Sequence, residues 1–154
     1  MRVEYINPFV EAAFDILKEV VSSDLKRGEL YLKGSPQPVL GVTAIVGLAG
    51  DVEGRVLFDM SEGTALAVAS SMNGEPMTAL DELAKATITE LANLITAQAV
   101  TKLYDLGFDF DLTPPTIITG ENMEISNMEV EALIVPIEIE YGKIEINVAL
   151  RERN

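Results

Sequence analysis

Residues 80–106, LDELAKATITELANLITAQAVTKLYDL, read as one long amphipathic helix. Thr78 is placed to cap it, with Asp81 at the third helical position, where a carboxylate complements the exposed amides and the helix dipole. Gly107 follows Leu106 and supplies the stop. Ala84, Ile88, Leu91, Ile95 and Ala99 recur at helical spacing and form a core-facing stripe. At about 100° per residue, the opposite face collects Glu82, Ala86, Glu90, Asn93, Ala97 and Thr101. Glu90 and Asn93 are three residues apart and stand side by side. Their neighbours on this ridge are alanines rather than long lysines, so another protein could approach it closely. A Glu and an Asn at this spacing are usually no more than a solvated face. The pair is nevertheless the one constellation in the chain suited to chemistry.

The residue inventory removes most alternatives. The 154 residues contain no cysteine and no histidine, which excludes disulfides, thiol nucleophiles, Ser-His triads and the usual zinc sites. Any chemistry must come from carboxylates, amides, hydroxyls, Lys or Arg. The formal net charge of −14 argues against nucleic acid and anionic membranes, whose phosphates need clustered Lys and Arg. Solubility is its plainest role, and docking to a basic patch its sharper one. The longest apolar run, Val39 to Gly50, is too short to span a bilayer and contains three glycines. With no signal-peptide pattern at the N-terminus, the expected location is the cytoplasm.

The remaining chain reads as short elements around the long helix. Asn7 to Val21 is a first amphipathic helix, with Asn7 as cap and Pro8 at the first helical position. Ser22 to Leu40 is mixed, with an extended piece at Glu29–Lys33 and a turn at Gly-Ser-Pro-Gln-Pro. Val42–Leu48 and Arg55–Asp59 form a hairpin. Ser61 caps a short helix through Ser71, stopped at Asn73-Gly74, and Gly74 to Met77 is the linker to the long helix. Thr116–Thr119 is a short strand after two prolines, and Glu121–Asn127 is a polar loop. Glu129–Glu140 and Lys143–Leu150 form a second hairpin, turning at Tyr141-Gly142. Its period of two, Glu138, Glu140, Glu145 and Asn147 against Ile137, Ile139, Ile144 and Ile146, predicts one buried face and one wet, acidic face.

The two halves, about residues 7–73 and 80–150, look related. Val42-Thr-Ala-Ile-Val with Gly54-Arg-Val lies over Val130-Glu-Ala-Leu-Ile with Gly142-Lys-Ile without a gap. The first helix lies over the long one, with Gly28 over Gly107, Glu11 over Glu90 and Phe14 over Asn93. A repeated helix-plus-strands unit predicts a single α+β domain over residues 1–154, a mostly antiparallel sheet packed by pseudo-twofold helices.

Four stretches carry a family resemblance. They are Gly54-Arg-Val-Leu-Phe with Thr64-Ala-Leu-Ala-Val, Leu80-Asp-Glu-Leu-Ala, Glu90-Leu-Ala-Asn93, and Asp111-Leu-Thr-Pro-Pro-Thr with Gly120. With these the chain resembles the CheX branch of the CheC/CheX family, phosphatases of bacterial chemotaxis response regulators, over nearly its whole length. The Glu-x-x-Asn pair is that family's functional motif. The CheC type carries a pair on each of two helices, whereas only Glu90/Asn93 is intact here. One departure is Ala92, where the family often has Gly before the Asn. It points about 100° from Asn93 toward the packed side, so the fold should accept it.

The resemblance implies an enzyme that hydrolyses the aspartyl phosphate of a CheY-like receiver by in-line attack of water, in chemotaxis or other two-component signalling. It implies Asn93 as the group orienting that water and Glu90 as the partner of a receiver lysine. Glu82, Ala86, Ala97 and Thr101 would extend the docking ridge. No metal or cofactor is expected on this chain, the Mg²⁺ being the receiver's. Thr87 and Thr89 read as solvated or lightly packed. A homodimer is expected, joined through a sheet edge supplied by the last hairpin, with both ridges outside the interface. The alternative function is a non-catalytic receiver-binding adaptor or flagellar-switch-like module. An intact Asn93 among alanines is what separates the two.

Overall fold

The computed structural model describes residues 3–21, 24–34, 37–126 and 131–152. Its centre is built by two hairpins. The first pairs β4 (Val42–Gly50) with β5 (Val52–Met60), and the second pairs β9 (Ala132–Ile139) with β10 (Gly142–Glu152). These runs are rich in Val and Ile, which suit a pleated surface. Strand β10 then pairs antiparallel with β5 from Ile144↔Met60 to Glu152↔Val52. Short strands extend both sides: β1 (Lys26–Arg27) and β2 (Tyr31–Lys33) lie on β9, and β6 (Phe110–Leu112) and β7 (Thr116–Thr119) lie on β4. The order is symmetric about the β5–β10 pair, and β3 (Gln37–Pro38) pairs with β8 (Glu124–Ile125) as a separate two-stranded sheet. Each half thus contributes a hairpin and flanking short strands, the pseudo-twofold α+β fold expected.

Gly54 and Gly142, matched by the repeat, have φ of +146° and +145°. L side chains rarely adopt that conformation. A Cβ on Gly54 would run into the Ala149 carbonyl oxygen, and one on Gly142 into the Thr64 hydroxyl.

Among the described residues, three helices cover one face: α1 (Val3–Val21), α2 (Glu62–Asn73) and α3 (Glu82–Asp105). The core lies between them and the strand side chains Val46, Phe58, Ile137 and Ile146. Phe9, Ala12, Ala13 and Leu17 from α1 meet Ile88, Leu91, Ile95 and Ala99 from α3 in it. Truncating a buried Leu or Ile there should cost about 2–5 kcal/mol. Helix α1 begins at Val3 rather than at Pro8, so Pro8 sits inside it. The extra turn buries Tyr5 and Ile6, and the Tyr5 hydroxyl donates to Glu152 at 2.7 Å. That burial outweighs the one backbone hydrogen bond that Pro8 cannot make.

The other sheet face departs from the expected wet, acidic surface. Glu138 and Glu140 are exposed, but Glu145 and Asn147 are buried, together with Ala132, Ile134 and Ala149. Flanking segments turn onto this face. The Leu40 amide donates to Asp59, Arg55 donates to the Ser126 carbonyl, and Tyr31 donates to Glu145. The period of two correctly separates the faces, but it does not show that chain from outside the hairpins covers the second one. The expected loop 121–127 also contains β8, with Ile125 buried, and Asn127 and Glu129 lie outside the described residues.

Candidate functional site

Helix α3 is fixed at both ends and along one side. Asp81, not Thr78, is the N-cap, and its Oδ1 accepts from the Ala84 amide at 2.9 Å. Both residues are of capping type, and the geometry chooses the one nearer the helix. At the far end the Phe108 amide donates to the Leu103 carbonyl and the Gly107 amide to the Tyr104 carbonyl, each at 3.0 Å. This paired arrangement at a glycine closes the helix at the expected stop.

Three lateral ties hold the helix to its neighbours. Asn73 at the end of α2 donates to the Thr87 hydroxyl at 2.8 Å, and Thr87 is buried rather than solvated. The apolar stripe runs close enough to Thr87 for α2 to cover it. On the α1 side, Gln98 donates to Asp15 at 2.9 Å, and Lys102 pairs with Glu11 at 3.5 Å. Ala92 is 1% exposed and packs in the core, as its angle requires.

What remains outward is the ridge. Glu82, Ala86, Glu90, Asn93, Ala97 and Thr101 are all exposed. Glu82 forms a surface ion pair with Lys85 at 3.5 Å, and the Thr101 hydroxyl donates to the Ala97 carbonyl at 3.0 Å. The Glu90 and Asn93 side chains are left to solvent. A carboxylate and a neutral carboxamide are therefore held rigidly on a flat surface, free to meet an incoming group. An amide there can accept from water through Oδ1 or donate through Nδ2 without changing charge. The ridge has two further exposed apolar members that its polar pattern hid, Leu94 and Tyr104, and Leu83 stands beside it. Tyr104 falls eleven residues after Asn93, three helical turns on, which is the spacing that could have found it.

Two other features lie off the ridge. A groove of about 800 Å³ is lined by Pro38, Leu40, Glu62, Leu80, Thr119 and Met123 among others, and includes neither Glu90 nor Asn93. On the far sheet face, Asp59 and Glu145 are direct cross-strand partners. Asp59 accepts from the Leu40 amide at 3.0 Å and the Thr43 hydroxyl at 2.9 Å. Glu145 is held by Tyr31, by Lys33 at 3.4 Å and by Lys143 at 3.5 Å. Burial pushes the Asp59 carboxyl up to about 6, against the two hydrogen bonds that favour its charged form. Burial and the adjoining Glu145 carboxylate raise the Tyr31 phenol. Among the described residues there is no group of three or more acidic side chains that could hold a metal ion, and no helix long and apolar enough to cross a membrane.

A sheet with pseudo-twofold hairpins, covered by helices of which one presents a Glu-x-x-Asn ridge, defines a CheC-like protein. Known structures agree. The CheC-like superfamily protein of Shewanella sp. PV-4 is 28% identical, with a TM-score of 0.89 over 98% of this chain and 99% of that one. The CheX of Borrelia burgdorferi, solved as a CheX–CheY–BeF3–Mg²⁺ complex, is 44% identical, with a TM-score of 0.85 over 98% of this chain and 100% of that one. The CheY-P phosphatase CheX of Thermotoga maritima is 29% identical over 140 residues, 90% of each chain. The family model for chemotaxis phosphatase CheX matches residues 42–138. The chain belongs to the CheX family.

Proposed function

We propose that the protein is a phosphatase that hydrolyses the aspartyl phosphate of a CheY-like response regulator. The observation that carries this reading is the exposed, unengaged Glu90/Asn93 pair on a helix capped at both ends and tied to α1 and α2. Family membership supports it, as does the 44% identical relative solved with CheY and beryllofluoride. An acyl phosphate is already reactive, so orienting a water in line with the scissile bond supplies much of the catalysis. The Asn93 Oδ1 accepts a hydrogen bond from that water and turns its lone pair toward phosphorus. As the water oxygen bonds to phosphorus, the bond to the aspartyl oxygen breaks, and the receiver regains its carboxylate. Glu90 pairs with a receiver lysine and sets the helix over the phosphoryl group. The receiver's own Mg²⁺ supplies charge neutralisation at the phosphoryl oxygens.

Asn93→Ala should lower the accelerated dephosphorylation by about 100-fold, the scale of losing one positioned catalytic group. Its unfolding midpoint should stay within about 0.5 kcal/mol of wild type, as for an exposed site. Single-turnover decay of a phosphorylated receiver gives the first number and urea unfolding the second. Full activity in the variant would reject Asn93 as the group that orients the water, and no acceleration by the wild type would leave only an adaptor.

We further propose that the protein acts as a cytoplasmic homodimer. The last hairpin is not the open edge expected of it, because β1 and β2 cover β9. On that side the edge is the arm, where Leu30 and Leu32 face solvent. An apolar strand edge is a template for a second copy, and it lies in the sheet layer, away from the α3 ridge. Light scattering at about physiological salt, where the net charge of −14 is screened over roughly 8 Å, should give twice the chain mass of 16.7 kDa.

A further inference from the structure

Among the described residues, most large exposed apolar side chains fall in two groups. Leu30, Tyr31 and Leu32 lie on the arm at the sheet edge, and Leu83, Leu94, Tyr104 and Leu106 lie on α3 and its cap, while Leu40, Leu112 and Tyr141 stand apart from both. The α3 group is arranged regularly. Leu83 and Leu94 are eleven residues apart, as are Asn93 and Tyr104, and eleven residues bring a helix almost back to the same angle. Two parallel lines result. One runs from Glu82 through Asn93 to Tyr104, and the other from Leu83 to Leu94, beyond Glu90 on the same exposed arc. Tyr104 stands 63% exposed, about 16 Å along the axis from Asn93. A small domain is about 30 Å across, so one centred on Asn93 would cover both residues.

We propose that Tyr104, with Leu94 and Leu83, is the apolar anchor by which the protein grips its receiver domain along α3. The proposal rests on the reading of Glu90/Asn93 as the receiver site. The occupant is the receiver, not a second copy, because this patch is continuous with that pair on one rigid helix. The other apolar group, on the strand edge, is the one suited to self-pairing. The two ends of the ridge differ in chemistry, with Glu82 at the N-terminal end and Tyr104 at the C-terminal end. The flat stretch of Ala86 and Ala97 between them contributes closeness rather than grip. Tyrosine is among the residue types that carry most binding energy when an interface buries them.

The test uses the full chain and a receiver domain whose dephosphorylation it accelerates, loaded with Mg²⁺ and beryllofluoride. Tyr104→Ala should raise Kd for that complex about tenfold and Leu94→Ala about fivefold, and Tyr104→Phe should stay within about twofold, because the anchor is apolar. In turnover with the phosphorylated receiver, Tyr104→Ala should raise KM by the same factor and leave kcat unchanged. Unchanged affinity in both alanine variants would overturn the proposal, as would a kcat loss with KM intact. A shift of Tyr104→Ala from dimer to monomer mass would also overturn it, by assigning the patch to a second copy. Asn93→Ala, run in parallel, keeps the two readings apart. Lost turnover in that variant beside an unaffected Tyr104→Ala rejects the anchor alone. Full turnover in Asn93→Ala beside a weakened Tyr104→Ala rejects the catalytic reading alone.

Discussion

Helices α1 and α3 lie on the same sheet face, and the register that places Glu11 over Glu90 also places Phe14 over Asn93 and Lys18 over Ala97. Their outward residues have different fates. On α1, Glu11 pairs with Lys102, Asp15 accepts from Gln98, and Phe14 packs half-buried on the core. On α3, Glu90 and Asn93 face solvent between alanines. One helix of the repeat holds the other in place, and the helix so held presents the candidate site. A pseudo-symmetric fold can in this way divide support and chemistry between its halves. The hairpins divide similarly. The repeat lays Asp59 over Asn147, yet Asp59 accepts hydrogen bonds from Leu40 and Thr43, while the buried Asn147 amide has no partner among the described residues.

The largest effect expected from breaking this asymmetry is on stability against pH. Folding raises the Asp59 carboxyl from 3.8 to about 6. The native state therefore binds this proton more tightly than the unfolded chain does. The resulting stabilisation is complete below about pH 4 and is lost as pH rises through about 6. Asp59→Asn, which cannot titrate, removes that contribution. The wild type's stability relative to the variant should fall by about 2–3 kcal/mol between pH 4 and pH 7.5. Urea unfolding of both proteins at the two pH values measures it. A difference that stays constant, or grows with pH, would show that Asp59 is not held as a buried acid.

Next in size is Phe14→Asn, which copies the α3 pair onto α1. Phe14 packs against the core cluster, so the substitution should destabilise by about 1–3 kcal/mol through lost burial and a poorly satisfied amide. It should create no second site, because the adjacent Glu11 is already tied to Lys102. Wild-type unfolding together with doubled turnover per chain would break the comparison.

Most of what positions the candidate site could be read from the sequence because it depends on local periodicity. The α3 stripe, its glycine stop, both hairpins, the Ser61 cap and the strand at Thr116–Thr119 all follow from residue type and spacing. The ridge residues came from the same angular count. The structure departs from that local pattern where distant chain decides the outcome. Thr87 is covered by α2 and bonded by Asn73, Glu145 is met by Tyr31, Lys33 and Lys143, and the early turn of α1 buries Tyr5 and Ile6, with Tyr5 bonded to Glu152. Pro136 shows the same dependence. It lies inside β9, where the covering arm breaks between β1 and β2, and its carbonyl accepts from the Gly28 amide at 2.9 Å. Gly28 was matched with Gly107 by the repeat, but it serves this junction rather than a helix stop.

The smallest expected effect is also the sharpest form of the comparison: Glu90→Ala set against Glu11→Ala. Both residues are exposed glutamates at matched positions, so a purely structural role predicts similar, small consequences for each. Glu11 has a partner within the chain, Lys102 at 3.5 Å, with both side chains substantially open to water. Such surface pairs contribute about 0–1 kcal/mol, because solvent screens the attraction and ordering two long side chains costs entropy. Glu11→Ala should therefore shift unfolding by less than about 1 kcal/mol and leave receiver binding alone. Glu90 has no such tie, so its removal should cost the fold still less, within about 0.5 kcal/mol. If it meets a receiver lysine near the phosphoryl group, its loss should weaken binding of the beryllofluoride-loaded receiver about tenfold, or roughly 1.4 kcal/mol. Raising the salt concentration should narrow that gap, because the interaction is between charges. Isothermal titration of both variants at two ionic strengths, with urea unfolding alongside, separates the outcomes. Equal affinities for the two variants would mean that the glutamate the halves share is part of the scaffold in both, leaving Asn93 to act without it.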